Sequence, residues 1–351
     1  MVVKFQVFKK GSPNSKITLY LTRRDHMDHV THVDNIEGVI VLDPNYVNSR
    51  NVYVQLALNF RFGREEDESL GYSFVKTLYV NTTQVYPPER ERPTTELQRN
   101  LISKLGNFAF PFDMSFPELA SPSYSLMLGW QDLGSLMGIE YEVMGFVGGN
   151  QHDIQQRSTA SLTVRRLMEC PASLFEKPAP QKCISRSFLT CTGCVSIEAK
   201  LNSNVYYPEE NIMVRVELKN NTSREIKRLK VKLVQKSEVP MFQDGQVRDK
   251  TICKVDDPLS LPPGALTTRE FVLVPSIPSK PAHGEIFLQS NLKGDEESVL
   301  APSTLIAPSI KKSDLFGVHV SYVVRVKATL GTLVGDAILD VPFVLAVQQG
   351  S

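Results

Sequence analysis

The sequence predicts an all-β protein built from two β-sandwich domains, and three observations lead there. Most segments alternate apolar and polar residues with period two, and turn signals separate them, as half-buried strands do. The same patterning runs through both halves of a chain of 351 residues, a length that suits two or three domains. The strands are not interleaved with regular helical stretches, so parallel βαβ units are excluded.

The expected strands of the first half are residues 16–21, 38–42, 52–60, 72–80, 124–128 and 141–147. Those of the second half are 195–201, 212–219, 227–234, 269–274, 318–328 and 343–347. A seam falls at 169–186, ECPASLFEKPAPQKCISR, which is rich in Pro and has no clear period. One helix is expected over 95–105. Thr95 is a good N-cap, Gln98 completes a capping box, and Gly106 stands where a terminating glycine belongs. Leu97, Leu101 and Leu105 fall on one helical face, which predicts a packing face against a sheet. Three loops exceed the needs of a tight hairpin. They are 61–71 (RFGREEDESLG), 128–138 with the only tryptophan, Trp130, and 280–301 with the acidic run Asp295-Glu296-Glu297.

The stretch 160–171, ASLTVRRLMECP, reads as a strand with Arg165 and Arg166 side by side. Neighbours on a strand face opposite sides, so one guanidinium points inward in any register. A buried arginine needs a paired, hydrogen-bonded partner. The alternative is an edge strand with both arginines solvated.

Formal net charge is +1, so any affinity for anions must come from local basic patches. Such patches are Lys9-Lys10 after Val7-Phe8, Arg23-Arg24 before Asp25, Lys227, Arg228, Lys230 and Lys232, and Arg325 with Lys327. Paired Lys and Arg suit phosphate, although part of the second group reads as a solvated face. Without overall basicity or interleaved aromatics, nucleic acid is not expected as a partner. The five cysteines are odd in number and irregularly spaced, which predicts reduced thiols in a cytosolic protein. The start, MVVKFQVFKKGS, is not a secretory signal, and no apolar run approaches the ~20 residues that span a bilayer. The sequons at Asn81, Asn220 and Asn221 then have no role.

No nucleophile–base constellation, phosphate-binding loop or dinucleotide fingerprint is present, so neither an enzyme nor a cofactor is expected. Cys191 and Cys194 form a lone CxxC, a weak zinc signal. His26, His29 and His32 recur every third residue and would not share a strand face. A metal site there needs a loop, and otherwise the three are polar surface.

Several motifs together are specific: VFKKGSPNSKITLYLTRRDHMDHV, GVIVLDP, FRFGREED with LG shortly after, LQRNLISKLGNFAFPF, YEVMGFV, and VSYVVRVKATLG followed by LVGDAILDVPF. With them the chain resembles the arrestin family, of β-arrestin and visual-arrestin type, over nearly its whole length and most closely the invertebrate members. The resemblance implies two cupped, immunoglobulin-like β-sandwiches: an N-domain at 1–171 that includes the helix, a hinge at 172–186 and a C-domain at 187–351. It implies a cytoplasmic protein recruited to the receptor-bearing membrane, which binds an activated, phosphorylated G-protein-coupled receptor, rhodopsin-like by overall similarity. Binding sterically ends G-protein signalling, without catalysis.

Residue by residue, Arg165 matches the inward arginine of the family's polar core and Asp25 its main carboxylate partner. Lys9 and Lys10 match the first phosphate sensors, and Arg24, Lys104 and Lys293 match further phosphate contacts. Where the family usually has a polar-core aspartate this chain has Gln289, with Asp295 and Glu296 as substitutes nearby. Arg61, Gly63, Arg64, Glu65, Glu66, Asp67, Glu68 and Leu70 match the finger loop that enters the receptor. Lys230, Arg248, Arg325 and Lys327 match an inositol-phosphate site, with Val234 at a position usually basic. Inositol phosphates or phosphoinositides are therefore expected ligands. Val7, Phe8, Leu97, Leu101 and Leu105 match the patch that docks the family's C-terminal tail. The chain stops at Ser351, and with it the clathrin and adaptor boxes of that tail are missing. That predicts a short, partly pre-activated form. The alternative is a cargo or trafficking adaptor of the wider arrestin clan. Against it, the nearest match to a PPxY motif, Pro87-Pro88-Glu89-Arg90, lacks the tyrosine.

Overall fold

A computed structural model describes residues 7–63, 75–89, 93–127, 136–238, 247–277, 285–289, 298–311, 314–331 and 334–347. The chain falls into two compact units. One comprises Met1–Tyr124, Asp132–Leu167 and Ala307–Gly317; the other comprises Ser125–Gln131, Met168–Ile306 and Val318–Ser351. Among the described residues, no helix is long and apolar enough to cross a membrane.

In the first unit, β1 (Phe8–Gly11), β2 (Ile17–Leu21), β4 (Ile36–Leu42) and β7 (Ala109–Met114) form a sheet in the order β1-β2-β4-β7. A second sheet joins β6 (Val75–Tyr86), β5 (Asn51–Gly63), β9 (Leu136–Gly148), β10 (Ala160–Met168) and β3 (Asp25–Asp28). Alternation explains why they stack. Ile17, Leu19 and Leu21 of β2 are fully buried, while Thr18 and Tyr20 between them are not. The sheets approach closely at Gly145 of β9, where a Cβ would lie 2.7 Å from the Ile40 side chain of β4. The short α1 (Pro44–Val47) is capped by Asp43.

The helix α2 (Glu96–Leu105) has the expected capping box, and the Gly106 N–H donates to the Ile102 carbonyl at 2.9 Å. Its packing face differs from the expectation. Leu97, Leu101 and Leu105 are only half-buried, and the buried residue is Gln98. The Gln98 amide donates to the carbonyls of Gly38 (3.0 Å) and Phe112 (2.9 Å) and accepts from the Thr95 N–H (3.0 Å). The helix is therefore tied to β4 and β7 by a polar anchor that the leucine stripe did not reveal.

In the second unit, β11 (Gln181–Phe188), β12 (Cys191–Leu201), β14 (Ile212–Asn220) and β17 (Leu266–Leu273) form one sheet in that order. The other sheet runs β13 (Val205–Tyr206), β21 (Gly335–Leu345), β20 (His319–Gly331), β15 (Ile226–Glu238) and β16 (Val247–Leu261). Three short strands pair in the order β19 (Ser298–Leu300), β18 (Ile286–Gln289), β8 (Tyr124–Met127). Five strands of this unit go beyond the expected set: β11, β13, β16, β18 and β19. β11 and the short helix α3 (Ala172–Phe175) occupy much of the expected seam, and β16 lies outside every expected strand. All five cysteines are free thiols.

Candidate functional site

β3 borders β10, and the two strands carry matching charges. Asp25 and Asp28 are three residues apart, and Arg165 and Arg166 are adjacent. Odd spacing puts the members of each pair on opposite strand faces. Each arginine therefore meets the aspartate on its own face.

On one face, Arg165 grips Asp25 with both limbs of its fork. Nε donates to Oδ1 at 2.7 Å and Nη2 to Oδ2 at 2.6 Å. The pair is asymmetric in exposure: 11% of the arginine side chain but 45% of the aspartate side chain reaches solvent. The Arg165 N–H also donates to the Arg24 carbonyl at 2.7 Å, which ties β10 to the entry of β3.

On the other face, Arg166 and Asp28 are each 5% exposed. Arg166 Nε donates to Asp28 Oδ2 at 2.9 Å, and Nη2 lies 2.7 Å from the same oxygen. Nη1 donates to the Pro117 carbonyl at 2.6 Å and Nη2 to that of Glu118 at 3.4 Å. The neighbouring Tyr141 hydroxyl donates to the Ser121 carbonyl at 2.6 Å. Burial pushes its pKa up to about 12, against the opposing pull of Arg166. Sequence reasoning missed this second pair and had one arginine inward. The structure buries both, so the reading with two solvated arginines is overturned. The parity of the two aspartates was the available signal.

Arg24 adjoins Asp25, and the other expected phosphate contacts that are described lie on other elements. Arg24 Nε donates to the Thr163 carbonyl at 2.8 Å, and its guanidinium lies 6.0 Å from the Phe8 ring. Burial lowers the Arg24 pKa, Asp25 acts against that, and Arg165 adds to it. Lys9 and Lys10 are exposed on β1, with the Lys9 ammonium 5.7 Å from the Tyr20 ring. Lys104 is exposed on a separate element, the last turn of α2. Arg64, Glu65, Glu66, Asp67, Glu68 and Leu70 of the expected finger loop lie outside the described residues, as do Lys293, Asp295 and Glu296. Arg61 and Gly63 end β5, and Gln289 pairs by backbone register with Ser298. Val7 and Phe8 are half-buried, like the α2 leucines.

The three histidines separate. His26 is fully buried beside Phe116 (ring centroids 5.3 Å), and neither ring nitrogen has a partner in hydrogen-bond geometry. It is therefore core, not the polar surface expected. Desolvation, with Arg23 adding to it, depresses its pKa to about 4; the backbone of Asn35 and the carboxylates Asp34 and Asp25 pull the other way. His29 and His32 stack at 4.6 Å, with His29 Nε2 3.3 Å from Asp34. Among the described residues no cluster of three or more His, Cys, Asp or Glu could hold a metal.

The second unit carries a charged sheet face. Lys230 stands directly opposite Lys327, and Lys232 opposite Arg325. Arg325 is clamped by Asp340 (2.7 and 2.8 Å) and by Asp249 (2.8 Å), and these hydrogen bonds raise its pKa against burial. Burial opposes ionisation of Asp340, but Arg325 and Lys236 outweigh it and lower its pKa. Lys327 pairs with Asp336 at 2.6 Å and Lys230 with Asp256 at 3.2 Å. Arg248 is exposed on β16. Val234 is buried, although strand parity puts it on the same face as Lys230, Lys232 and Lys236.

Two β-sandwich units, one of them pairing a half-exposed aspartate with a mostly buried arginine across neighbouring strands, define an all-β protein with a charged pair at a strand border. The comparisons place it: the chain belongs to the arrestin family. Residues 17–170 match the description "Arrestin (or S-antigen), N-terminal domain" and 191–349 match "Arrestin (or S-antigen), C-terminal domain". The chain is 37% identical over 350 residues to Phosrestin-1 of Drosophila melanogaster, covering 98% of this chain and 86% of that protein. It is 37% identical over 349 residues to Phosrestin-2 of the same fly (98% and 95%). To an arrestin homolog of Heliothis virescens it is 35% identical over 351 residues (98% and 91%).

Proposed function

We propose that this protein binds an activated, phosphorylated G-protein-coupled receptor at the membrane and ends its signalling by occlusion. The observation that carries this reading is the Arg165–Asp25 pair. Its arginine is buried and its carboxylate is half in water, so an incoming phosphate can approach the fork from the solvent side. A phosphate brings about −1.5 to −2 charges and three acceptor oxygens, more than a carboxylate offers. Lys9, Lys10 and Arg24 would guide it inward. Once Arg165 changes partner, Asp25 is left unpaired and the resting arrangement of this part of the fold is no longer favoured.

The charged face around Arg325 and Lys327 is proposed to take an inositol phosphate or phosphoinositide headgroup. Lys230, Arg325 and Lys327 each already hold a carboxylate, so the ligand must exchange for Asp256, Asp249, Asp340 and Asp336. Binding is thus expected to be weak and steeply salt-dependent.

The test is co-sedimentation with receptor membranes in four states, active or inactive and phosphorylated or not, for wild type and Arg165→Glu. Wild type is expected to favour the active phosphorylated state, and Arg165→Glu to bind active receptor with or without phosphate. Equal phosphate preference in both proteins would refute the trigger. Binding to none of the four states would refute the receptor reading and favour a trafficking adaptor.

A further inference from the structure

β11 is an open sheet edge. It pairs with β12 on one side only, and no described strand pairs with the other side. The Leu201 N–H donates to the Pro180 carbonyl at 3.0 Å, which sets the phase of the ladder. Antiparallel neighbours alternate between bonded and non-bonded pairs. Lys182, Ile184 and Arg186 therefore exchange bonds with β12, while Gln181, Cys183, Ser185 and Ser187 turn their N–H and C=O groups outward. Six of the eight residues of β11 are exposed, and none is proline. Two other edges of this unit carry a feature that blunts strand addition. β17 leans on β16 through an Arg269–Asp257 ion pair at 3.6 Å, and the outer edge of β21 carries an exposed Pro342.

The side chains of β11 restrict what could add there. Ile184 lies opposite the buried Ile197, so the even-numbered residues are on the core side of the sheet. Lys182 and Arg186 flank the half-buried Ile184 at the open margin, opposite the buried Ala199 and Val195. Neither cation is in an ion pair among the described residues. Inward-pointing charge on an edge strand disfavours an apolar strand as partner. A second copy pairing antiparallel about Ile184 would set Lys182 against Arg186, so like charge disfavours self-association as well. What fits is a strand with carboxylates at the two flanking positions and an apolar residue between them.

We propose that β11 is a docking edge for an extended acidic segment of a partner protein, added as the next strand of this sheet. The pattern recognised is acidic–x–apolar–x–acidic, with the carboxylates against Lys182 and Arg186 and the apolar side chain on Ile184. Main-chain hydrogen bonds to the outward groups supply affinity, and the two cross-strand ion pairs supply specificity.

The probe is a fluorescein-labelled peptide, Thr-Glu-Thr-Val-Thr-Glu-Thr with blocked ends, titrated by anisotropy against the whole chain at low salt. Amide exchange is followed in parallel. Binding is expected to saturate and to slow exchange at Gln181, Cys183, Ser185 and Ser187, with little change at Lys182, Ile184 and Arg186, which are already bonded. Lys182→Glu combined with Arg186→Glu is expected to weaken binding about ten-fold or more, from two reversed cross-strand pairs. Cys183→Pro removes one outward donor without touching the bonds to β12 or either cation, and is expected to weaken binding and erase the alternating protection. Three results would each overturn the proposal. These are no saturable binding, equal binding of a peptide with the same composition in scrambled order, and binding without alternating protection. The last two would show nonspecific charge attraction only.

Discussion

Asp25→Asn and Asp28→Asn remove the same charge from the same four-residue strand, yet they should act in opposite ways. Asp28 and Arg166 are each 5% exposed, so Asp28→Asn strands a buried guanidinium. Breaking such a pair costs about 3–5 kcal/mol, and the low end applies because the Pro117 and Glu118 carbonyls still accept from Arg166. Asp25 is 45% exposed, and water replaces much of what the lost charge supplied. Its loss is expected to cost about 1–2 kcal/mol. Native-state amide exchange along β10 separates the two. Roughly hundred-fold faster exchange is expected for Asp28→Asn and about ten-fold for Asp25→Asn, at 1.4 kcal/mol per decade. Receptor binding should rank them the other way. Asp25→Asn should bind active, unphosphorylated receptor, because Arg165 is already released. Asp28→Asn should keep its phosphate preference, because the exchangeable pair is intact. Equal acceleration of exchange, or equal release from phosphate, would refute the assignment of a trigger to one face and an anchor to the other.

Three further outcomes follow from the geometry. The His26 pKa is depressed to about 4 in the fold, so on acidification the unfolded chain takes up the proton first. Stability is then full above about pH 6.5 and falls by roughly 3 kcal/mol towards pH 4, at 1.36 kcal/mol per pKa unit. His26→Leu should lose that part of the slope, and parallel pH profiles for the two proteins would contradict it. Asp340→Asn removes one of the two carboxylates on Arg325 and should tighten inositol hexakisphosphate binding several-fold in low-salt calorimetry. Unchanged affinity would exclude Arg325 from that site. Gln98→Leu leaves the Gly38 and Phe112 carbonyls without the donor that holds α2 and should cost roughly 2–4 kcal/mol. Faster exchange of the α2 amides, with β14 unaffected, is the expected signature.

The strands legible in the sequence are those with one dry face. β14 shows it plainly: alternation predicts 212–219, and Ile212–Asn220 is buried at every second residue. β11 was invisible for the complementary reason, because an edge strand wetted on both faces has no alternating burial to imprint on its residues. The helix divides the same way. Its caps are local chemistry and were readable. Its buried face was not, because counting apolar residues overlooks a glutamine whose amide answers two sheet carbonyls. The site was half legible. Strand parity required one of Arg165 and Arg166 to turn inward, but only the placement of β3 beside β10 explains why both can. With charge on both faces of one strand pair, the two ion pairs stand under different rules. The pair closed to water cannot exchange its carboxylate without leaving a buried charge, so it fixes the strand. The pair open to water can exchange, so it can respond to an anion. On the proposed reading the responsive contact has a neighbour that does not respond, and the two lie on opposite faces of the same pair of strands.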